Sequence, residues 1–181
     1  MSNEELWKLF PIILTGHNPE WKKDYLQEKS LLEKILGEKQ ISRINHIGST
    51  AVPGLITKPT IDILLEITLG TVPETLKSQL EAGGYIFSPQ PDKPAPHMMF
   101  MKGYTPNGFA DKVYHIHIRY SGNWDELYFR DYLIEHPDIA KEYGMLKMSL
   151  LKQYRYNRDG YTEAKGDFIR KITTIAKEKY K

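Results

Sequence analysis

His46-Ile-Gly-Ser-Thr-Ala-Val-Pro-Gly-Leu-Ile-Thr-Lys-Pro-Thr-Ile-Asp62 is the stretch that decides how this chain folds and where its chemistry lies. Just ahead of it, Ile41–Ile47 reads as a strand that stops at Gly48, a residue that lets the backbone approach a ligand closely. Ser49 and Thr50 follow, with hydroxyls and free amides suited to phosphate oxygens. Pro53, Gly54 and Pro59 break any long element, so Ser49–Pro59 is expected as a loop. The dense β-branched and apolar run Thr60–Ile67 then returns as a strand, with Asp62 near its start. Turn and carboxylate can therefore face each other across neighbouring strands, and a carboxylate beside bound phosphate is what a magnesium ion needs. No Gly-Lys-Ser/Thr closes the turn, so it is not a Walker-type phosphate loop. The plainer alternative, a tight turn with a capping serine and a strand-end aspartate, uses the same spacing.

Outward from this stretch, a first helix is expected over Pro19–Leu36, capped by Asn18 and stopped by Gly37, with Trp21, Tyr25, Leu32, Ile35 and Leu36 as its apolar stripe. Pro73–Ala82 reads as a short helix. Tyr85–Phe87, His97–Lys102 and Val113–Tyr120 are the remaining strand candidates, with an exposed proline-rich loop over Ser88–Pro96. From there the chain is helical over Asn123–Glu135, Pro137–Tyr156 and Thr162–Lys179. A helix, a mixed sheet and then a run of helices predict an α+β architecture with helices packed mainly on one face and a helical C-terminal half.

The bulk numbers exclude several classes. The 181 residues suit one domain spanning 1–181 with a real hydrophobic core. Lys and Arg number 25 against 23 for Asp and Glu, so no general basic surface drives non-specific nucleic-acid binding. The absence of cysteine excludes disulfides, thiolate zinc sites and cysteine nucleophiles, and suits a reducing cytoplasm. Met1–Phe10 carries Asn3, Glu4, Glu5 and Lys8 and lacks the apolar core of a signal peptide. The apolar run near Ile61–Leu65 is far too short to span a bilayer.

Two further patterns bear on function. Alternation in Val113–Tyr120 puts His115, His117 and Arg119 on one strand face and Tyr114, Ile116 and Ile118 on the other. That is either an ordinary half-exposed strand or the wall of a site in which His117 or His115 serves as metal ligand or general base. A histidine-only zinc site drawing on His46 or His97 is a further alternative, though no short helical histidine pair supports it. The C-terminal helices carry one cation in each apolar stripe: Arg130 beside Leu127 and Ile134, Lys147 beside Tyr143 and Leu150, Lys165 beside Tyr161 and Phe168. Such stems often lie along apolar surface with their heads in water. Three helices repeating the pattern suggest heads that converge on an anion, with Lys58 as a fourth; phosphate fits, Arg130 giving bidentate contact and the lysines point charges.

The segment His46–Asp62 resembles the signature of the GrpB-like family. Phe129-Arg-Asp-Tyr-Leu-Ile-Glu-His-Pro137, Glu142-Tyr-Gly-Met-Leu-Lys147, the pair Tyr161 and Lys165, and His115-Ile-His-Ile-Arg119 are similar to its later parts, so the likeness covers roughly 17–175. The resemblance implies the nucleotidyltransferase superfamily, whose pattern is a Gly-Ser turn followed by a strand with Asp-x-Asp or Asp-x-Glu. Those carboxylates, with a third from a later strand, hold two metal ions for attack on a nucleotide α-phosphate. Asp62 matches the first carboxylate, but Leu64 occupies the second position. Glu66 shares that strand face about 7 Å further along, at ~3.3 Å per residue, too far to replace the missing ligand without a bulge.

The expectation is a protein that binds a nucleotide or another phosphorylated small molecule with a divalent ion, Mg2+ or Mn2+. Gly48, Ser49, Thr50, Lys58, Arg130, Lys147 and Lys165 would hold phosphate, Asp62 and His117 the metal, and Glu66 or His117 would act as base in transfer of a nucleotidyl or phosphoryl group. The alternative on the same fold is a non-catalytic binding module in which Leu64 records lost chemistry. An RNA-associated role, prompted by the tyrosines, is opposed by the near-zero net charge.

Overall fold

Thr60–Ile67 forms β2, the second strand of a five-stranded mixed sheet in the computed structural model, which describes residues 2–181. β1 (Ile41–Ile47) pairs with it antiparallel on one side and β5 (Gly108–Tyr120) parallel on the other. β4 (Met98–Thr105) and β3 (Ile86–Pro89) extend the sheet antiparallel, giving the order β1-β2-β5-β4-β3. A parallel neighbour cannot be reached by a tight turn, so the chain between β2 and β5 makes a long excursion through α3 (Pro73–Ala82) and the β3–β4 hairpin.

Alternation along β2 divides the two faces. Ile61, Ile63, Leu65 and Ile67 join Tyr114, Ile116 and Ile118 of β5 against α2 (Glu20–Leu36) and α3, where Leu32, Leu36, Leu76 and Leu80 complete the main core. Burying each of these Leu and Ile side chains contributes about 1.5–3 kcal/mol, which fixes the register, because a one-residue slip would turn the apolar set outward. The opposite face carries Asp62, Leu64 and Glu66 beside His115, His117 and Arg119. Over it stands the helical half, α4 (Asp125–Glu135), α5 (Pro137–Tyr154), α6 (Arg158–Ala164) and α7 (Gly166–Lys179). This half has its own core of Val52, Leu55, Phe129, Leu133, Tyr143 and Ile172. The α+β class expected from the element pattern is the class observed.

The differences from expectation are local. Asn18 accepts from the Glu20 N–H at 3.0 Å, and α2 begins at Glu20, one residue late. The last predicted helix is two, α6 and α7, meeting at Lys165. Asn157, which lies between two of the predicted helices, caps α6 by accepting from the Gly160 N–H at 3.0 Å. A short N-terminal helix α1 (Asn3–Leu9) carries a capping box between Ser2 and Glu5.

Glu66 lies at the far end of β2 with its side chain fully buried, paired to Arg43 Nε and Nη2 and accepting from the Gly122 N–H at 3.0 Å. It ties β1 and the β5–α4 loop to β2. Arg43→Ala would leave this carboxylate buried without its counter-charge. The expected loss is about 3 kcal/mol, the low end for a broken buried pair because Arg43 is half exposed. Urea unfolding at pH 7 checks it, and a loss under 1 kcal/mol would mean that solvent reaches the carboxylate.

Candidate active site

Between the polar face of the sheet and the helical half lies a cleft of about 1040 Å³. At its floor the parallel register sets Asp62 beside His115 and Leu64 beside His117. The Asp62 Oδ1 is 3.1 Å from His117 Nε2 and 3.6 Å from His115 Nδ1. Burial acts to raise the Asp62 pKa. Hydrogen bonds and charge from His115 and His117 more than offset it and hold the carboxyl well below the usual carboxylate range. Asp62, His115 and His117 present ligand atoms within 4.8 Å of one another, a set able to hold one metal ion.

Gly48 ends β1 with φ at 73°, and a Cβ built there would lie 2.8 Å from Asp62 Oδ2. Only glycine lets the turn press this closely on the carboxylate. Gly48→Ala is therefore expected to cost about 1–3 kcal/mol in thermal unfolding, from the left-handed backbone and the clash together. An unchanged melting temperature would mean that the turn can relax away from Asp62. Past Gly48 the chain winds through one 3-10 turn, Ser49–Ala51.

Ser49 Oγ accepts from Lys147 Nζ at 3.1 Å. Lys147 is 1% exposed, lies over the Tyr143 ring, and shares the cleft with Lys58, Lys165 and Arg158. Burial, then the charges of Lys165 and Lys58, lower Lys147 to about 6. Burial and Lys58 lower Lys165 to about 7, and burial and Arg158 lower Lys58 to about 8. Lys102 and Lys112, elsewhere, have Glu28 and Asp24 as partners. Among the described residues Lys58, Lys147 and Lys165 enter no ion pair. Burial is the main cause of each shift, neighbouring cations add to it, and the charge of Asp62 offsets part of it.

Gly48, Ser49, Lys58, Asp62, His117, Lys147 and Lys165 are thus brought into one cleft. Three of the residues picked from the sequence are engaged elsewhere. Glu66 is locked to Arg43 and unavailable as a base near Asp62. Thr50 is 2% exposed, its hydroxyl donating to Thr60 O at 3.2 Å and lying 2.9 Å from His46 Nε2. Arg130 reaches under β1, donating to His46 O at 3.0 Å and Asn45 Oδ1 at 3.2 Å, and pairs with Asp131. The apolar stripe of α4 gave the right face, but the pitch of the helix carries the guanidinium to the back of the Gly-Ser strand. His46 stacks on Tyr25, and burial lowers it to about 4. His97 stands against Trp124, so neither it nor His46 joins the Asp62 cluster.

Sequence reasoning missed Tyr104 and Arg158. The Tyr104 hydroxyl lies 2.6 Å from His115 Nε2 and accepts from Arg158 Nη1 at 3.0 Å. Lys102, two residues earlier, bonds Glu28 on the opposite face of the sheet. The β4–β5 ladder is irregular between Lys102 and Tyr104, and Gly103 sits there with φ at 95°. Beyond this bulge Tyr104 emerges on the cleft side. Gly103, directly after the predicted strand His97–Lys102, was the available signal.

A mixed-sheet α+β protein with a Gly-Ser turn pressed on a strand aspartate beneath a lysine-lined cleft is the class that these features define. Residues 11–174 match the profile of the family described as GrpB protein, and the chain belongs to that family. It is 35% identical to the glutamate-rich protein GrpB of Alkalihalophilus pseudofirmus over 89% of this chain and 93% of that protein. It is 36% identical to a UPF0157 protein of Pseudomonas aeruginosa over 86% of this chain, but spans only 63% of that protein's length. The crystal structure of GrpB from Enterococcus faecalis aligns with a TM-score of 0.78 at 33% identity, over 93% of this chain and 99% of that one. Among the described residues no helix is long and apolar enough to cross a membrane.

Proposed function

We propose that the cleft binds a nucleotide or another phosphorylated small molecule together with a divalent ion, in the manner of a nucleotidyltransferase. The observation that carries this reading is the convergence of Lys58, Lys147 and Lys165, more cations than the single carboxylate of Asp62 offsets and none of them in an ion pair among the described residues, around Ser49. A phosphorylated ligand supplies the missing negative charge, and Ser49 and the backbone of the turn offer it hydrogen bonds. The donor set at Asp62 and His117 fits a divalent ion, which would place Lewis-acid charge on a phosphoryl oxygen. In a transfer, the acceptor hydroxyl would lose its proton to water as its oxygen attacks phosphorus, the bond to the leaving phosphate would break, and the lysines would neutralise the negative charge on the departing oxygens.

Leu64 favours a second reading. The position where the superfamily pattern has its second carboxylate is a fully buried leucine, so the two-metal arrangement lacks a ligand and the cleft suits recognition without chemistry. Metal dependence separates the two. In a thermal-shift panel of the four nucleoside triphosphates with and without Mg2+ or Mn2+, a ligand at a hundred times its Kd adds about 2.7 kcal/mol. Stabilisation by one nucleotide that requires metal and disappears in Asp62→Ala supports the transferase. Metal-independent stabilisation, unchanged in Asp62→Ala, supports the binding module. No shift with any nucleotide removes the nucleotide and turns the search to other phosphorylated metabolites.

A further inference from the structure

We infer that Asp62, His115 and His117 form a single nitrogen-rich metal centre selective for Zn2+ or Mn2+ over Mg2+, with Tyr104 as the residue that positions His115. The inference rests on the reading of Asp62 as a metal ligand given above and goes beyond it in the number of ligands, the kind of ion and the device that orients them.

The donor spacing suits one small ion. Bonds of ~2.1 Å around a tetrahedral ion put neighbouring donors about 3.4 Å apart. The Asp62 Oδ1 separations from His117 Nε2 and His115 Nδ1, 3.1 and 3.6 Å, bracket that edge. Spacing alone would serve Mg2+ as well. The chemistry of the donors separates the ions, since Mg2+ takes oxygen ligands while imidazole nitrogen suits the transition ions and zinc. Two of three donors here are imidazoles, and the carboxylate that a magnesium pair would need is Leu64, 0% exposed in the packed interior. Three protein ligands leave a position for a substrate oxygen, as in catalytic rather than structural zinc sites.

An imidazole binds metal through a bare nitrogen, so its other nitrogen must carry the proton. For His115 the nitrogen facing Asp62 is Nδ1, and Nε2 points at the Tyr104 hydroxyl 2.6 Å away. Arg158 can only donate, so its 3.0 Å bond occupies one lone pair of the Tyr104 oxygen and leaves the other to accept His115 Nε2–H. That arrangement bares Nδ1 for the ion. Without metal the tyrosine hydroxyl can turn and donate to Nε2, letting Nδ1–H face the carboxylate. Tyr104 thus serves both states, and its ring, stacked on His115 at 17°, fixes the plane of the imidazole. The partner of a metal-bound histidine sets its tautomer and basicity, and losing such a partner typically weakens metal binding 10–100-fold.

The test is direct metal binding by the chelator-stripped full chain, titrated calorimetrically with Zn2+, Mn2+ and Mg2+ alone, for wild type, Tyr104→Phe and His115→Gln. Expected are one Zn2+ or Mn2+ per chain, Mg2+ at least about a hundredfold weaker, a 10–100-fold loss in Tyr104→Phe, and a larger one in His115→Gln. Nitrogen-15 spectra of the imidazoles give a readout that mere packing would not move. Zn2+ should bind His115 on Nδ1 with the proton on Nε2, and Tyr104→Phe should blur that tautomer. Mg2+ binding as tight as Zn2+, or Zn2+ affinity unchanged in Tyr104→Phe, would overturn the inference. Nucleotide binding that persists in a protein taking up no Zn2+ would overturn it while leaving the phosphate cleft standing. Zn2+ uptake by a protein that then binds no phosphorylated ligand would sustain the metal centre and remove the cleft's proposed ligand.

Discussion

Lys147→Met is expected to stabilise the ligand-free protein and to weaken phosphate binding, two effects of opposite sign from one substitution. Methionine keeps most of the volume of the buried aliphatic stem, so no large cavity opens. What disappears is a buried amine that folding obliges to give up its proton at neutral pH. In the unfolded chain Lys147 titrates near 10.5, and in the folded protein burial and the charges of Lys165 and Lys58 bring it to about 6. The unfolded state therefore binds more protons between these values. The penalty on folding is full below pH 6 and fades as pH rises toward the unfolded value. At 1.36 kcal/mol per pH unit, the sum at pH 7 is on the order of a few kcal/mol. Chemical denaturation at pH 7 should show that gain in stability, smaller at pH 9. Meanwhile inorganic phosphate or the cognate nucleotide should bind roughly 10–100-fold more weakly, the worth of a charge-assisted contact. A Lys147→Met protein that is less stable than wild type at pH 7 would show that the lysine is held for packing, and its role in the cleft would fall with it.

Such a residue shows what the sequence could and could not reveal. Lys147 stands in an apolar helical stripe, and a single cation there has a bland explanation. It was singled out because three helices repeated the pattern, and two of the three heads do meet in the cleft. Arg130 does not, because periodicity assigns a helix face but not the helix's tilt over the sheet. The strands beside the site were legible for a firmer reason. Density of β-branched residues and strict alternation put His115 and His117 on one face of their strand and Asp62 near the start of another, and the parallel register of β2 with β5 brings the three together. The contact of Tyr104 with His115 and Arg158 joins a strand past a glycine bulge to the start of a helix 54 residues later. No local pattern encodes a pairing of that kind. Thr50 and Glu66 failed as ligands because their hydroxyl and carboxylate are spent on backbone and on Arg43, choices that only packing makes.

The pH dependence of ligand affinity should be as large as the effect of any substitution. In the free protein Lys147, Lys165 and Lys58 titrate at about 6, 7 and 8. An anion seated among them raises each, because it favours the charged form that burial opposes. Affinity is then flat below the lowest free value and falls as pH climbs past each lysine's free value, levelling only above the values in the complex. Between pH 7 and 9 the ligand must draw protons onto these lysines, roughly one to two per molecule bound near pH 7.5, so affinity should fall by about tenfold or more per pH unit. A phosphomonoester, with a second pKa near 6, changes its own charge little between pH 7.5 and 9, so a nucleoside monophosphate is the ligand to use. Calorimetric titration with a nucleoside monophosphate at pH 7.5 in two buffers of different ionisation enthalpy counts the protons directly, and the same titration at pH 9 gives the loss of affinity. Affinity independent of pH, with no buffer-dependent heat, would place the anion away from the three lysines and leave their mutual proximity without a ligand to explain it. Proton uptake that survives in Lys147→Met but is reduced by about one would assign that proton to Lys147, tying the fall in affinity to the same side chain whose loss stabilises the empty protein.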